Sequence, residues 1–113
     1  MTDHITIDAA PGTWVVRAGG AVIGESSKAL ELREGGRGPV IYFPRGDVAM
    51  AFLDRTGIKT HCQHKGDASY YSIVTNAETL PDVVWSYEDP KDGVAAIREH
   101  LAFSPGEVTV ERV

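Results

Sequence analysis

The feature that most constrains this chain is a period of two. Apolar and polar residues alternate in short runs rich in β-branched and aromatic residues, and glycine or proline closes most of the runs. Alternation of this kind places successive side chains on opposite faces, so the runs read as half-buried strands. Strands are expected over 5–7, 14–17, 21–23, 29–33, 40–43, 59–63, 69–75, 83–87 and 108–112. Gly19-Gly20 separates the second and third runs. It is a two-residue hairpin signal, because glycine accepts the positive φ that such turns need. Gly35-Gly36-Arg37-Gly38-Pro39 turns the chain into the run at Val40.

Two short helices are expected to interrupt the strands. In one, Asp89 serves as cap, Pro90 suits the first helical position and Asp92 reaches back toward the cap. Val94, Ile97 and Leu101 then recur at spacings of three and four, a narrow core-facing stripe. The other spans about 47–53, with Val48 and Phe52 on one face and Gly57 ending it. The expected fold is therefore mainly β: a compact sandwich or partly open barrel with one or two short helices, forming one domain over residues 1–113.

The chain has 113 residues, 42% hydrophobic and 24% charged. That length buries roughly two-thirds of the surface its unfolded form exposes, enough for a hydrophobic core without staples. Cys62 is the one cysteine, so no intrachain disulfide forms, as in reducing compartments. The start Met1-Thr2-Asp3-His4 has neither a basic region nor an apolar run, which argues against a secretory leader. No apolar stretch approaches the ~20 residues of a membrane span. The net charge of −5 opposes nonspecific nucleic-acid binding, which runs on Lys and Arg neutralising phosphates. A cytoplasmic protein, monomeric or homodimeric, is expected.

Chemistry-bearing residues concentrate between Tyr42 and Tyr87. Arg45 and Asp47 follow the strand ending in Tyr42-Phe43, and Cys62, His61, His64 and Lys65 crowd together before Ser69-Tyr70-Tyr71. Trp85 and Tyr87 share one strand face. Cys62 reads either as a nucleophile whose thiolate is held by Lys65 or Arg45, or as a small buried hydrophobe, the commoner fate of a free cysteine. Cys62 and His64, on one strand face with His61 or Asp67 nearby, form the start of a metal site but lack the second ligand cluster structural zinc uses. No metal and no cofactor are expected. Arg45 and Asp47 read equally as a structural ion pair and as ligand contacts. In the ligand reading Arg45, Lys65 and Tyr70 hold an anion, with Glu34 and Asp47 partnering the cations when the site is empty. Gly24-Glu25-Ser26-Ser27-Lys28 lacks the closing glycine of a nucleophile elbow. Gly35-Gly36-Arg37-Gly38 lacks the Lys-Ser/Thr of a phosphate loop.

In combination, Tyr42-Phe43-Pro44-Arg45 with Asp47, Thr60, Cys62, Lys65-Gly66, Ala68-Ser69-Tyr70-Tyr71, Trp85-Ser86-Tyr87 with Pro90, and Leu101-Ala102-Phe103 resemble domain-of-unknown-function family 427, which has carried a nucleotidyltransferase label. The resemblance implies a tent-like β fold shared with zinc-binding and sulfoxide-reducing domains, here without their paired metal cysteines, and no established activity. The family usually has proline and an aromatic between the cysteine and the lysine, where this chain has Gln63-His64; the change either creates a metal or proton-transfer site peculiar to this protein or varies a loop, and the loop is the favoured reading. Nucleotidyl transfer generally needs closely spaced carboxylates to hold Mg²⁺ against a triphosphate, and no such pair stands on an apolar strand here.

Three functions compete. The leading one is a domain binding a small, anionic ligand in a pocket walled by Tyr42, Tyr70, Trp85 and Tyr87, with Arg45, Asp47, Cys62 and Lys65 as polar contacts. The second is an enzyme using Cys62, assisted by Lys65, as nucleophile or redox centre. The third is a structural or protein-interaction module in which the same residues knit the fold. The first requires the stretches near 45, 65 and 86 to meet at one concave spot.

Overall fold

The computed structural model describes residues 4–113; Met1-Thr2-Asp3, read above for a leader, lie outside the described residues. Among the described residues ten strands form: β1 (Ile5–Ala9), β2 (Trp14–Ala18), β3 (Ala21–Ser26), β4 (Leu30–Glu34), β5 (Val40–Tyr42), β6 (Leu53–Cys62), β7 (Gly66–Val74), β8 (Thr79–Ser86), β9 (Ala102–Phe103) and β10 (Thr109–Arg112). They build three antiparallel sheets, ordered β1-β4-β5, β10-β2-β3 and β6-β7-β8-β9, and none closes into a barrel. The fold is mainly β, as the alternation dictates. β6 begins six residues before the expected strand at 59, and the two-residue β9 carried too short a run to be seen.

Both expected short helices are present, as 3-10 and not α-helix. Residues 47–53 become two single turns, Arg45–Asp47 and Met50–Phe52. Between them Val48 is extended and bridges Gly24, while the Ala49 amide donates to the Ile23 carbonyl at 2.8 Å. The neighbouring sheet captures backbone groups that a helix would need. The later segment is 3-10 over Asp92–Ile97, kinked at Val94, with Lys91 and not Asp89 at its start and no side-chain cap. Val94, Ile97 and Leu101 are all buried, so their spacing marks the right side chains. With Gly93 inside it, a stretch this short does not offset the cost of nucleating an α-helix.

The β6–β9 sheet divides the interior. One apolar cluster joins Val16, Ile23, Phe43, Tyr71, Ile73, Val84, Leu101 and Phe103. The other joins Leu32, Tyr42, Ala68, Tyr87, Val94, Ile97 and Ala102, with Tyr70 and Trp85 packed against it. Chain neighbours are split between them: Tyr42 from Phe43, Tyr70 from Tyr71, Val84 from Trp85, Ala102 from Phe103. That division is the two-residue period of a strand made three-dimensional. Phe43 and Leu101 exchange backbone hydrogen bonds at 2.8 and 2.9 Å and join β5 to β9, and the Phe43 and Phe103 rings meet edge-to-face at 5.7 Å.

At the β2–β3 hairpin both central residues are left-handed, Gly19 at φ +56° and Gly20 at φ +78°, which is the twist-matched turn the Gly-Gly pair forecasts. A Cβ on Gly19 would stand 2.6 Å from Thr75 Oγ1, whereas one on Gly20 meets nothing within 4 Å. Thr75 cannot simply yield, because its hydroxyl also accepts from the Ala77 and Glu78 amides. Each alanine loses about 1–2 kcal/mol to its left-handed backbone. Gly19→Ala should therefore destabilise the fold by at least about 1 kcal/mol more than Gly20→Ala, given the usual cost of overpacking. Urea unfolding of the two variants measures the difference.

Candidate functional site

On one face of β7 and β8 lies a groove of about 310 Å3, lined by Tyr42, Tyr70, Trp85, Tyr87, Glu34 and Lys65 among others. Its base is a buried ion pair. Lys65 Nζ donates to Glu34 Oε1 at 2.6 Å, with the two side chains 9% and 8% exposed. Lys65 is set by a tight turn after β6: its amide donates to the Cys62 carbonyl at 3.2 Å, and its own carbonyl accepts from the Lys91 amide at 3.0 Å. Glu34 closes β4, where its carbonyl accepts from the Arg37 amide at 3.1 Å.

The hydrogen bond from Lys65 is the chief reason the Glu34 carboxyl is held below its ordinary range. For Lys65, burial works against the charge, but the bond to Glu34 and the proximity of Cys62, Glu34 and Tyr42 outweigh it and raise the ammonium. The walls are kept neutral. Burial lifts the phenols of Tyr42 and Tyr87 to about 12. Trp85 Nε1 donates to Tyr42 Oη at 3.3 Å, Tyr70 and Thr60 share a hydroxyl contact at 3.1 Å, and Lys65 Nζ stands 5.9 Å from the Tyr87 ring centre. Cys62 is half-buried against this cluster, at its edge and outside the groove's lining.

Arg45 and Asp47 are elsewhere, contrary to expectation, and they do not pair with each other. Asp47 accepts from Ser26 Oγ at 2.6 Å. Arg45 lies on the opposite face of the sheet in a network centred on Glu88. Its guanidinium reaches Tyr71 Oη and Ser86 Oγ, each at 3.1 Å, the Glu99 carbonyl at 3.1 Å and Glu88 Oε2 at 3.4 Å. Arg55 grips the same carboxylate with two nitrogens at 2.9 and 2.6 Å, and Tyr71 Oη donates to it at 2.8 Å. The bond from Arg55 leads in pushing Glu88 down to about 2, and the same bond raises Arg55. Every member of this network is bonded to another.

Side chains near 65 and 85–87 therefore meet in the groove, whereas Arg45 reaches the 85–87 stretch from the other face, at Ser86. Tyr70 and Tyr71 are adjacent on β7 and must face opposite ways, so a single site could never use both; Arg45 follows Tyr71. Arg55 and Glu88 were not singled out by sequence reasoning, although alternation from Trp85 and Tyr87 already assigns Ser86 and Glu88 to the other face. The expected shared face of Thr60, Cys62 and His64 fails because β6 stops at Cys62. Gln63 and His64 lie in the turn that follows. His61 turns to Asp67, Nδ1 to Oδ1 at 2.7 Å, and among the described residues no three His, Cys, Asp or Glu side chains gather as a metal-holding group.

Breaking the Glu34–Lys65 pair from one side strands a buried charge. Lys65→Met alone should cost about 3–5 kcal/mol, while Glu34→Leu/Lys65→Met should return to within about 1 kcal/mol of the parent; urea midpoints decide. For Glu88, the unfolded carboxyl takes its proton near 4.5 and the folded one only near 2. The unfolded state binds more protons between those values, so this contribution is complete above 4.5 and drains away as the pH falls toward 2. Its size is moderated by solvent, since the Glu88 side chain is 30% exposed. Stability measured across that window should fall more gently in Glu88→Gln than in the parent.

Comparison with known proteins speaks to kinship. Among curated proteins none matches the chain. The profile of the family described as a domain of unknown function (DUF427) matches residues 6–113, nearly the whole chain, and the protein belongs to that family.

Proposed function

We propose that this protein binds a small molecule in the groove above Lys65. The observation that carries the reading is a buried ion pair at the base of an open, aromatic-walled cavity. Taking Glu34 and Lys65 out of water is expensive, and apolar residues of similar volume commonly serve stability as well or better. A pair kept beside an open groove has a use that a solid core would not give it, namely fixed charge next to Tyr42, Tyr70, Trp85 and Tyr87. Aromatic walls with a few convergent polar groups are the ordinary make-up of a ligand pocket, and about 310 Å3 is at the small end of such sites. Arg45 and the Glu88 network fit the structural role instead, since they satisfy one another across β6, β7 and the end of β8, and Asp47 is taken by Ser26 of β3.

The test is a thermal-shift screen against small organic acids, amines and neutral metabolites. A ligand at about ten times its Kd adds roughly 1.4 kcal/mol and lifts the Tm of a domain this size by about 5 °C. At least one compound should do so for the parent and for Arg55→Ala, on the opposite face, but not for Glu34→Leu/Lys65→Met. A screen with no stabilising compound, or a hit equally effective on the Glu34/Lys65 double variant, rejects the groove.

A further inference from the structure

Trp85 also lines a second, larger cavity of about 560 Å3, walled by Trp14, Ile41, Phe103, Val108 and Val110. Val40 and Trp85 line both cavities, and the chain from Arg37 to Ile41 runs along both: Arg37 and Gly38 border the first, Pro39 and Ile41 the second. Their chemistry is opposed. The larger cavity has mostly apolar walls, with Glu31 its one charged residue, and Glu31 is engaged by Arg33 at 3.2 Å. The smaller holds Glu34, Lys65, Arg37 and the tyrosines.

Charge at the polar end follows from who is paired. Glu34 is taken by Lys65 at 2.6 Å. Among the described residues the guanidinium of Arg37 has neither an ion-pair nor a hydrogen-bond partner, yet it borders the groove. Among the described residues the polar end therefore offers one unmatched positive charge, and Arg presents a planar fork that suits a carboxylate.

We propose that the two cavities are one bipartite site for a small monoanionic amphiphile, its carboxylate on Arg37 beside the Glu34–Lys65 pair and its apolar body passing Trp85 into the cavity walled by Trp14, Ile41 and Phe103. This rests on the ligand-binding reading above and names the class of ligand. A cation is disfavoured because Glu34 is already neutralised; a purely apolar compound leaves Arg37 unused; a small acid such as acetate leaves the larger cavity unused. Each methylene drawn out of water strengthens binding about fourfold, so affinity rises with chain length until the cavity is filled.

Trp14 and Trp85 are the chain's two tryptophans and both line the larger cavity, so intrinsic fluorescence reports occupancy. Acetate, hexanoate, octanoate and decanoate, with decanol and decyltrimethylammonium for comparison, are titrated into the full chain below the concentrations at which they aggregate. Affinity should climb from hexanoate to decanoate, with acetate and decyltrimethylammonium silent. Arg37→Gln should weaken decanoate about tenfold and leave decanol unchanged. Decanoate binding no better than acetate, an equal response to the cationic chain, or an Arg37→Gln protein that binds decanoate undiminished overturns the proposal. If the carboxylates fail while a screened compound still loses its effect in Glu34→Leu/Lys65→Met, the amphiphile is wrong and the groove stands; if neither responds, both fall.

Discussion

Successive side chains on a strand point to opposite sides of its sheet, and in the β6–β9 sheet that constraint decides which residues can act together. β7 presents Ala68 and Tyr70 to one side and Ser69, Tyr71 and Ile73 to the other; β8 presents Trp85 to the first side and Val84 and Ser86 to the second. Each face then recruits its own charges from the loops. The face with Tyr70 and Trp85 receives Lys65 from the turn after β6 and Glu34 from the end of β4. The face with Tyr71 receives Arg45, Arg55 and Glu88. No residue needs to move for the two sets to stay separate, because the sheet lies between them.

The two charge groups differ in what holds them. Around Glu88 two guanidiniums, a phenol and the Ser69 hydroxyl share one carboxylate, and the participants remain partly in solvent: Arg55 is 48% exposed and Arg45 27%. Such a network contributes through shared geometry, each bond fixing the donors of the next, and salt screens it. Glu34 and Lys65 stand alone in a drier place, where their attraction must offset desolvation of both. Hence loss of either partner matters far more than loss of the pair.

Much of this was legible in the residues. Alternation gave the strands, Gly19-Gly20 gave a hairpin with both φ values positive, and Trp85 with Tyr87 gave one wall of the groove. The spacing of Val94, Ile97 and Leu101 named buried side chains while misnaming the backbone, since periodicity reports which side is apolar and not how backbone hydrogen bonds are shared with nearby sheets. The pairing of Arg45 with Asp47 failed for a similar reason. Sequence proximity cannot weigh a distant serine, and Ser26 from β3 takes Asp47 while Glu88, forty-three positions from Arg45, takes the arginine. Arg37 was hidden in a glycine-rich turn, where a cation reads as solvated until the groove beside it is known.

Cys62 shows how the same commitment of charge limits the chemistry available nearby. A thiolate needs a cation or a base free to stabilise it, and the nearest cation, Lys65, already spends a short hydrogen bond on Glu34. Arg45, the other candidate for that role, is across the sheet among Tyr71, Ser86 and Glu88. Cys62 packs against the apolar cluster that contains Tyr87. Among the described residues Arg37 is the cation at the polar end without an ion-pair partner, and the proposed ligand class rests on that charge.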